Sequence, residues 1–459
     1  MPLRGDQGKR RGGSGKRNGP GSRSIIGSLI NLSIRGQTRD YFCGVSALIL
    51  TTAIILGCAS AAQGAGFALI QQGTAAMGQG NAFVADASDA SAIFYNPAGL
   101  NQLQRAQVYQ GLFLNHFDRN VSGDGFSSET NHRIYRSVSA YVAIPVHSRV
   151  ALGIGFFTPF GLGTVWPPTW AGRYITTFSD LKTYNLNPVI SVKVLDNLSL
   201  AAGFNAMWSK VELKRKVQVL GGLFPDAEVR LTGDGQVYGY NLGALYEPIS
   251  GVKLGVSYRS EVFVKHEGDA ALSFQAPLTP LSTSSPGSAG LTFPPSVTMG
   301  INYSRLKPWG KPLGLEFDAT WTGWSSFDEF KAKTDRSLGG TDRVVIPKNW
   351  NDAWAFRFGG NYEIREGMKL RVGYIYDLTP VPDATFDPQV PDANRHIFTV
   401  GSDLKLWRFT LGIAYNYILA ESRTKNNTIA INGVPVPVQA NGRYTSNVHS
   451  LGLSWLFQF

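Results

Sequence analysis

The chain ends in Ser450-Leu-Gly-Leu-Ser-Trp-Leu-Phe-Gln-Phe459, which sets Leu451, Leu453, Trp455, Phe457 and Phe459 against Ser450, Gly452, Ser454 and Gln458. A β-strand sends successive side chains to opposite faces, so one face here is large and apolar and the other small or polar. The pattern recurs upstream. Leu254, Val256 and Tyr258 alternate with Gly255, Ser257 and Arg259, and Leu315, Phe317, Ala319 and Trp321 with Glu316, Asp318 and Thr320. Leu370, Val372, Tyr374 and Tyr376 alternate with Arg371 and Gly373, and Phe409, Leu411, Ile413, Tyr415 and Tyr417 with Thr410, Gly412, Ala414 and Asn416.

Such strands suit a soluble sandwich or a membrane barrel. The barrel is favoured by segments near ten residues, the length that crosses a bilayer at a tilt, and by their aromatic ends, which suit interfacial girdles. A closed sheet pairs every backbone N–H and C=O inside lipid. The terminal Phe459 after an alternating strand is typical of bacterial outer-membrane barrels. With about 40 residues outside the sheet and roughly 25 per strand and connection, about 14 antiparallel strands are expected, with 12 and 16 as the even-numbered alternatives. Stretches rich in Pro, Gly and Ser at 158–173, 276–295, 380–392 and 426–442 read as long connections, which face outward in such barrels.

The 459 residues carry 43% hydrophobic and 16% charged side chains, against about 25% charged in an average soluble protein. The net charge of +11 is concentrated at the start, where residues 1–64 hold nine Arg/Lys and two Asp. That argues against nucleic-acid binding, which needs a basic face on the folded domain. Residues 43–62 are free of charge, follow the basic region and run into Ala59-Ser-Ala-Ala-Gln-Gly64, the order of a cleaved secretory signal. Cleavage after Ala62 or Gly64 puts the mature start near Ala65. The rival readings are a retained anchor and acylation of Cys58 in Ile55-Leu-Gly-Cys58. Cys43 and Cys58 are the only cysteines, so the rest of the chain forms no disulfide.

Residues 65–104 lack sustained alternation and are dominated by small side chains, which fits a segment that plugs a barrel; an ordinary periplasmic extension is the alternative. Asn96-Pro97 can start a helical turn, with Asn as cap and Pro at the first position. This mature start, AGFALIQQG, MGQGNAFVAD and ASAIFYNPAGL, resembles the hatch of the FadL family of outer-membrane transporters for long-chain fatty acids and other hydrophobic compounds. FFTPFGLGTVWPPTWAGRY (156–174), GVSYRSEVFVKHEGDA (255–270), FPPSVTMG (293–300), DATWTGWSSFDEFKA (318–332), NWNDAWAFRFGGNYE (349–363) and LRVGYIYDLTPVPDATFDPQVPDANRHIFTVG (370–401) continue the resemblance in family order.

The resemblance implies an all-β, 14-strand transmembrane barrel (105–459) with an N-terminal hatch (65–104) in its lumen, preceded by a signal segment (1–64). It implies passive transport in the bacterial outer membrane. Ligand is captured at extracellular loops and passed to a lumen pocket. The hatch then rearranges and the ligand leaves sideways through the barrel wall. Ala65, Gly66 and Phe67 would reach the pocket, and Asn96, Pro97 and Ala98 form the hatch motif. Pro159, Phe160 and Gly161 are candidates for a break in a strand, since Pro removes a ladder donor and Gly permits a bulge. Lys331, Lys210 and Arg215 are candidate carboxylate contacts. Trp166, Trp170, Leu223 and Phe224 are candidates for the surface groove. For each of these groups a solvated charge, a loop entry or an interfacial anchor is the plainer reading.

No cofactor and no metal is implied, and the six His lack zinc-site spacing. The expected partners are the hydrophobic ligand and the surrounding outer-membrane lipid and lipopolysaccharide, and a plugged barrel works as a monomer. No GxSxG or complete P-loop is present. Glu316 and Asp318 share a strand face and read as lumen charges balanced by Lys or Arg rather than as an acid/base pair. Four functions compete: transport of fatty acids or of aromatic hydrocarbons, a general porin, a barrel enzyme, and a surface adhesin or phage receptor.

Overall fold

The computed structural model describes residues 65–338 and 340–459. The signal segment 1–64, with its cleavage, anchor and acylation readings, lies outside the described residues.

Fourteen antiparallel strands close into a barrel. They are β1 (Gln107–Gly123), β2 (Ile134–His147), β3 (Val150–Phe157 continued by Gly161–Val165), β4 (Phe178–Leu195), β5 (Leu198–Val219), β6 (Phe224–Ile249) and β7 (Val252–Arg259 continued by Val262–Ser273). The circuit goes on through β8 (Thr283–Phe293, then Ser296–Leu306), β9 (Leu313–Thr322, then Glu329–Leu338), β10 (Thr341–Pro347, then Ala353–Arg365), β11 (Met368–Asp377), β12 (Arg395–Leu406), β13 (Phe409–Ala420) and β14 (Gly442–Gln458). Each pairs with the next in sequence, and β14 closes on β1 from Gln107↔Gln458 to Ser122↔Arg443.

The alternation sorts as lipid requires. Leu254, Val256, Leu315, Phe317, Leu411 and Ile413 are exposed on the outer face, while Glu316, Asp318 and Asn416 between them are buried inside. A continuous apolar belt on the outside is the surface a bilayer covers. The strands run well past the membrane: β5 has 22 residues and β6 has 26. The stretch 276–295, read as a connection, is a correction. Its residues 283–293 form the upper part of β8 and pair with β7 from Leu272↔Thr283 to Val262↔Phe293. Above the bilayer a strand has no lipid face, so Ser, Gly and Pro replace the alternation that would have marked it.

Candidate functional site: a lumen cavity beside a break in the wall

Residues 65–104 lie against the inner wall. A helix (Thr74–Gly78), a short turn (Ala92–Tyr95) and a 3-10 turn (Pro97–Gln102) carry the segment. Asn96 begins the last of these as expected: its Oδ1 accepts from Ala98 N at 3.1 Å. Its Nδ2 donates to Val84 O (2.7 Å) and to Ala244 O of β6 (2.9 Å), so Asn96 fastens the turn to the wall. Ala98 packs with Ala85, Ala201 and Leu245.

The small inward residues of the strands now have a reason. A Cβ on Gly153 would meet Ile93 at 2.8 Å, one on Gly401 the Cα of Gly78 at 2.9 Å, and one on Gly452 the sulfur of Met77 at 2.7 Å. On Gly255, Gly359 and Gly373 it would collide with the backbone of Val84, Gln79 and Gly80. The segment's backbone therefore rests directly on the strands. Polar anchors complete the seat. Asp318 accepts from Phe83 N (2.8 Å) and Val84 N (3.1 Å), and Glu316 accepts from Ala85 N (2.7 Å) and Asp86 N (2.9 Å). Both carboxylates face the lumen and hold backbone N–H groups; Asp318 also stands opposite Arg357 on the neighbouring strand, the expected kind of balance, whereas Glu316 is held by N–H groups and Asn302. Arg371 ties in Gln79 and reaches Asp403 at 2.7 Å.

Pro159 and Phe160 interrupt β3. The β2–β3 ladder runs from His147↔Val150 up to Ala140↔Phe156 and stops there. Beyond it, Ile134–Ser139 of β2 pair with β1 alone. The N-terminal segment pairs with the broken strand from inside: Leu69 N donates to Pro159 O and Gly161 N to Phe67 O, both at 2.8 Å. Gln72 spans the interruption. Its Nε2 donates to Thr158 O (2.7 Å), and its carbonyl accepts from Ser139 Oγ (2.9 Å) and Tyr141 Oη (3.1 Å).

Beside Pro159 and Phe160 lies a cavity of about 120 Å³, bordered also by Leu69, Phe94, Arg259 and Arg357. Arg259 donates to Asn205 Oδ1 (2.9 Å) and Phe94 O (3.4 Å), lies over the Phe94 and Phe157 rings, and forms no ion pair among the described residues. Arg357 donates to Thr320 Oγ1. Asn81 Nδ2, Asp318 Oδ1 and Arg357 Nε, all on this cavity, have no protein partner. Two guanidiniums against the single carboxylate Asp318 leave the cavity wall net positive.

Toward the outside, Phe67 sits in an aromatic cage. Ring centroids lie 4.6 Å away at Trp324, 5.6 Å at Phe327, 5.7 Å at Trp350, 5.9 Å at Phe293 and 6.1 Å at Phe160. Gly66 N donates to Asp392 Oδ2 at 3.1 Å. Burial raises the Asp392 carboxyl from its ordinary value. In the β13–β14 connection burial lowers the Lys425 ammonium to about 8.

The other expected contacts scatter. Lys331 pairs with Glu329 in an extracellular groove with Lys265, Lys333 and Arg343, away from the cavity. Lys210 is exposed on the outer face that carries Phe204 and Trp208, so it is not a lumen residue. Arg215 stands half-buried in the tall extension of β5. Trp166 and Trp170 stack at 4.4 Å and are buried in the same apolar cluster as Phe67, not in a surface groove. Leu223 is 77% exposed at the tip of the β5–β6 hairpin, and Phe224 packs beside Val219 and Leu272. The cavity residues Arg259 and Arg357 were not singled out from sequence. Arg259 shares the parity of Gly255 and Ser257, so its inward direction was readable.

A family model described as outer membrane protein transport protein (OMPP1/FadL/TodX) matches residues 55–459. The long-chain fatty acid transport protein of Salmonella typhi is 25% identical over 445 residues, covering 90% of this chain and 96% of that protein. Among solved structures, a Pseudomonas aeruginosa FadL homologue superposes with a TM-score of 0.74 at 22% identity, over 86% of this chain and all of that one. The Pseudomonas putida toluene transporter TodX superposes at 0.70 with 18% identity, over 86% of this chain and all of its own.

Proposed function

We propose, from the premise that the chain belongs to the OMPP1/FadL/TodX family of outer-membrane transport proteins, that it carries long-chain fatty acids passively through the barrel wall. Transport of hydrophobic compounds across the outer membrane follows from membership. The fatty-acid assignment rests on one observation: Arg259, a half-buried cation without a carboxylate partner among the described residues, borders a cavity whose wall is apolar on the side of Leu69, Phe94, Pro159 and Phe160. Each buried CH₂ contributes about 0.8 kcal/mol, and a buried carboxylate needs a cation or fixed donors. A neutral aromatic needs neither.

At about 120 Å³ the cavity is smaller than ordinary ligand sites of roughly 300–1,000 Å³. A long tail therefore needs the space that Phe67 fills. In this reading the ligand enters the aromatic cage as Phe67 leaves. The pull on Leu69 and Gln72 then loosens the contacts that hold Pro159, Thr158, Ser139 and Tyr141 together. The ligand leaves through the interrupted β2–β3 ladder into the membrane, and residues 65–104 act as the hatch. Phe67→Ala should raise oleate affinity by roughly an order of magnitude, because the site no longer expels its own side chain first. Equilibrium binding to the detergent-solubilised protein reads this; unchanged or weaker affinity would mean that the ring lines the site rather than blocking it.

Growth tests the assignment. A bacterial strain without its own long-chain fatty-acid transporter, expressing this chain, should grow on oleate and lose growth with Arg259→Ala. Growth that ignores Arg259 would contradict the assignment. The toluene transporters share the fold, and the aromatic lining around Phe67 is the observation that would suit a ring-shaped ligand.

A further inference from the structure

Three donor groups far from the cavity converge on the outer face of the barrel. His116 and Asp118 stand on β1 with the parity of Leu112 and Leu114, above the apolar belt. His132 lies in the connection to β2. Asp118 Oδ1 is 3.6 Å from His116 Nδ1 and 3.5 Å from His132 Nδ1. One ligand atom from each of the three residues falls within 4.8 Å of the others. The two imidazoles are parallel within 6°, with centroids 5.6 Å apart.

The two Asp118–His spacings approach an edge of a coordination polyhedron, and the two His nitrogens lie within 4.8 Å of each other. Zinc binds His nitrogen at about 2.0–2.1 Å and carboxylate oxygen at about 2.0–2.2 Å. In a tetrahedron of such bonds, neighbouring ligand atoms are about 3.4 Å apart. The Asp118 edges need only a tenth or two of an ångström of adjustment. The surroundings favour the same geometry. Glu129 Oε1 lies 3.9 Å from His132 Nε2, the nitrogen that does not face Asp118. A carboxylate on the far nitrogen is the usual partner of a metal-bound imidazole, fixing its tautomer. His132 is placed by its neighbours: Thr130 N donates to Arg119 O (3.0 Å) and Asn131 N to Val165 O (2.9 Å). Glu129 itself is paired with Asn120 of β1. His449 sits across from His116, but its Nδ1 is engaged by Tyr415 Oη at 2.7 Å.

We propose that His116, Asp118 and His132 form a surface site for a divalent transition metal of the zinc class, with Glu129 orienting His132. Two imidazoles and a carboxylate suit zinc, cobalt, nickel or copper rather than magnesium or calcium, which favour oxygen donors. The side chains are 37%, 37% and 58% exposed, so a fourth position is open to water. Linear spacing conceals the site because 15 residues of hairpin lie between the two histidines.

The test uses the protein extracted from the outer membrane and freed of metal with chelator. Zinc is titrated by calorimetry, and cobalt by its visible absorption, which reports tetrahedral nitrogen and oxygen ligation. One equivalent should bind. His132→Ala should abolish saturable binding, and Glu129→Gln should weaken it about 10–100-fold. His449→Ala should leave it intact. Heat-modifiable gel mobility confirms that each variant is a folded barrel, and none of these residues touches the lumen cavity. Absence of saturable binding in the unaltered protein, or binding that survives His132→Ala, would overturn the proposal. Loss through His449→Ala would place the metal elsewhere and overturn it as well.

Discussion

Gly359→Val should turn the protein into a steadily conducting pore. Gly359 faces the lumen from β10, where a Cβ would collide with the Gln79 carbonyl and come within 3.1 Å of the Ala82 Cβ. Neither obstacle is the far end of a flexible side chain. The wall cannot yield, because around Gly359 β10 is paired on both sides, with β9 and with β11. The N-terminal segment is the weaker party: it is held to the wall by individual hydrogen bonds, from Phe83 N to Asp318, from Ala85 N to Glu316 and from Asn96 Nδ2 to Ala244 O. Valine suits a strand, so the barrel itself should survive. Gly360→Val supplies the control, since the neighbouring residue points the other way and its Cβ would meet only Leu315 at 3.3 Å and a carbonyl at 3.6 Å. Planar-bilayer recordings should show sustained openings for Gly359→Val and none for Gly360→Val. Equal, closed behaviour of the two variants would mean that residues 65–104 do not seal the lumen.

Arg259→Ala should lower oleate affinity by about 10–100-fold, since a hydrogen bond to a charged group is worth about 1.5–3 kcal/mol and each 1.4 kcal/mol is tenfold. The loss should be specific. Asn205 Oδ1, which Arg259 Nη1 reaches at 2.9 Å, also accepts from Asn185 Nδ2 at 2.8 Å, so it is not stranded by the change. Toluene binding, if present, should be unaffected because a neutral ring does not use the cation. Arg259→Lys should retain part of the affinity: it keeps the charge but not the planar fork of donors. Lys331→Ala and Lys210→Ala should leave affinity unchanged, as both lie outside the lumen cavity.

The barrel was legible because lipid imposes a strict period of two, and the outward residues Leu315, Phe317, Leu411 and Ile413 keep it. Where strands leave the lipid the constraint lapses, and residues 283–293 of β8 read as a loop. The turn after Asn96 was readable because cap chemistry is local. The cavity was not, since its cations come from β7 and β10 and its apolar wall from residues near 69, 94 and 160. Lys210 shows how parity could have helped: it continues the series Phe204, Trp208, which points to lipid. The glycines at 255, 359 and 373 were visible as small residues, but the backbone resting on them was visible only in three dimensions.

Binding of a fatty-acid carboxylate at Arg259, as proposed, is what separates this chain from a carrier of neutral aromatics. The most direct test is equilibrium binding of labelled oleate to the detergent-solubilised protein, with toluene as competitor, for the unaltered chain and Arg259→Ala. Saturable oleate binding that toluene barely displaces and that Arg259→Ala weakens at least tenfold is the predicted result. Saturable binding that toluene displaces fully and that Arg259→Ala leaves unchanged would contradict it.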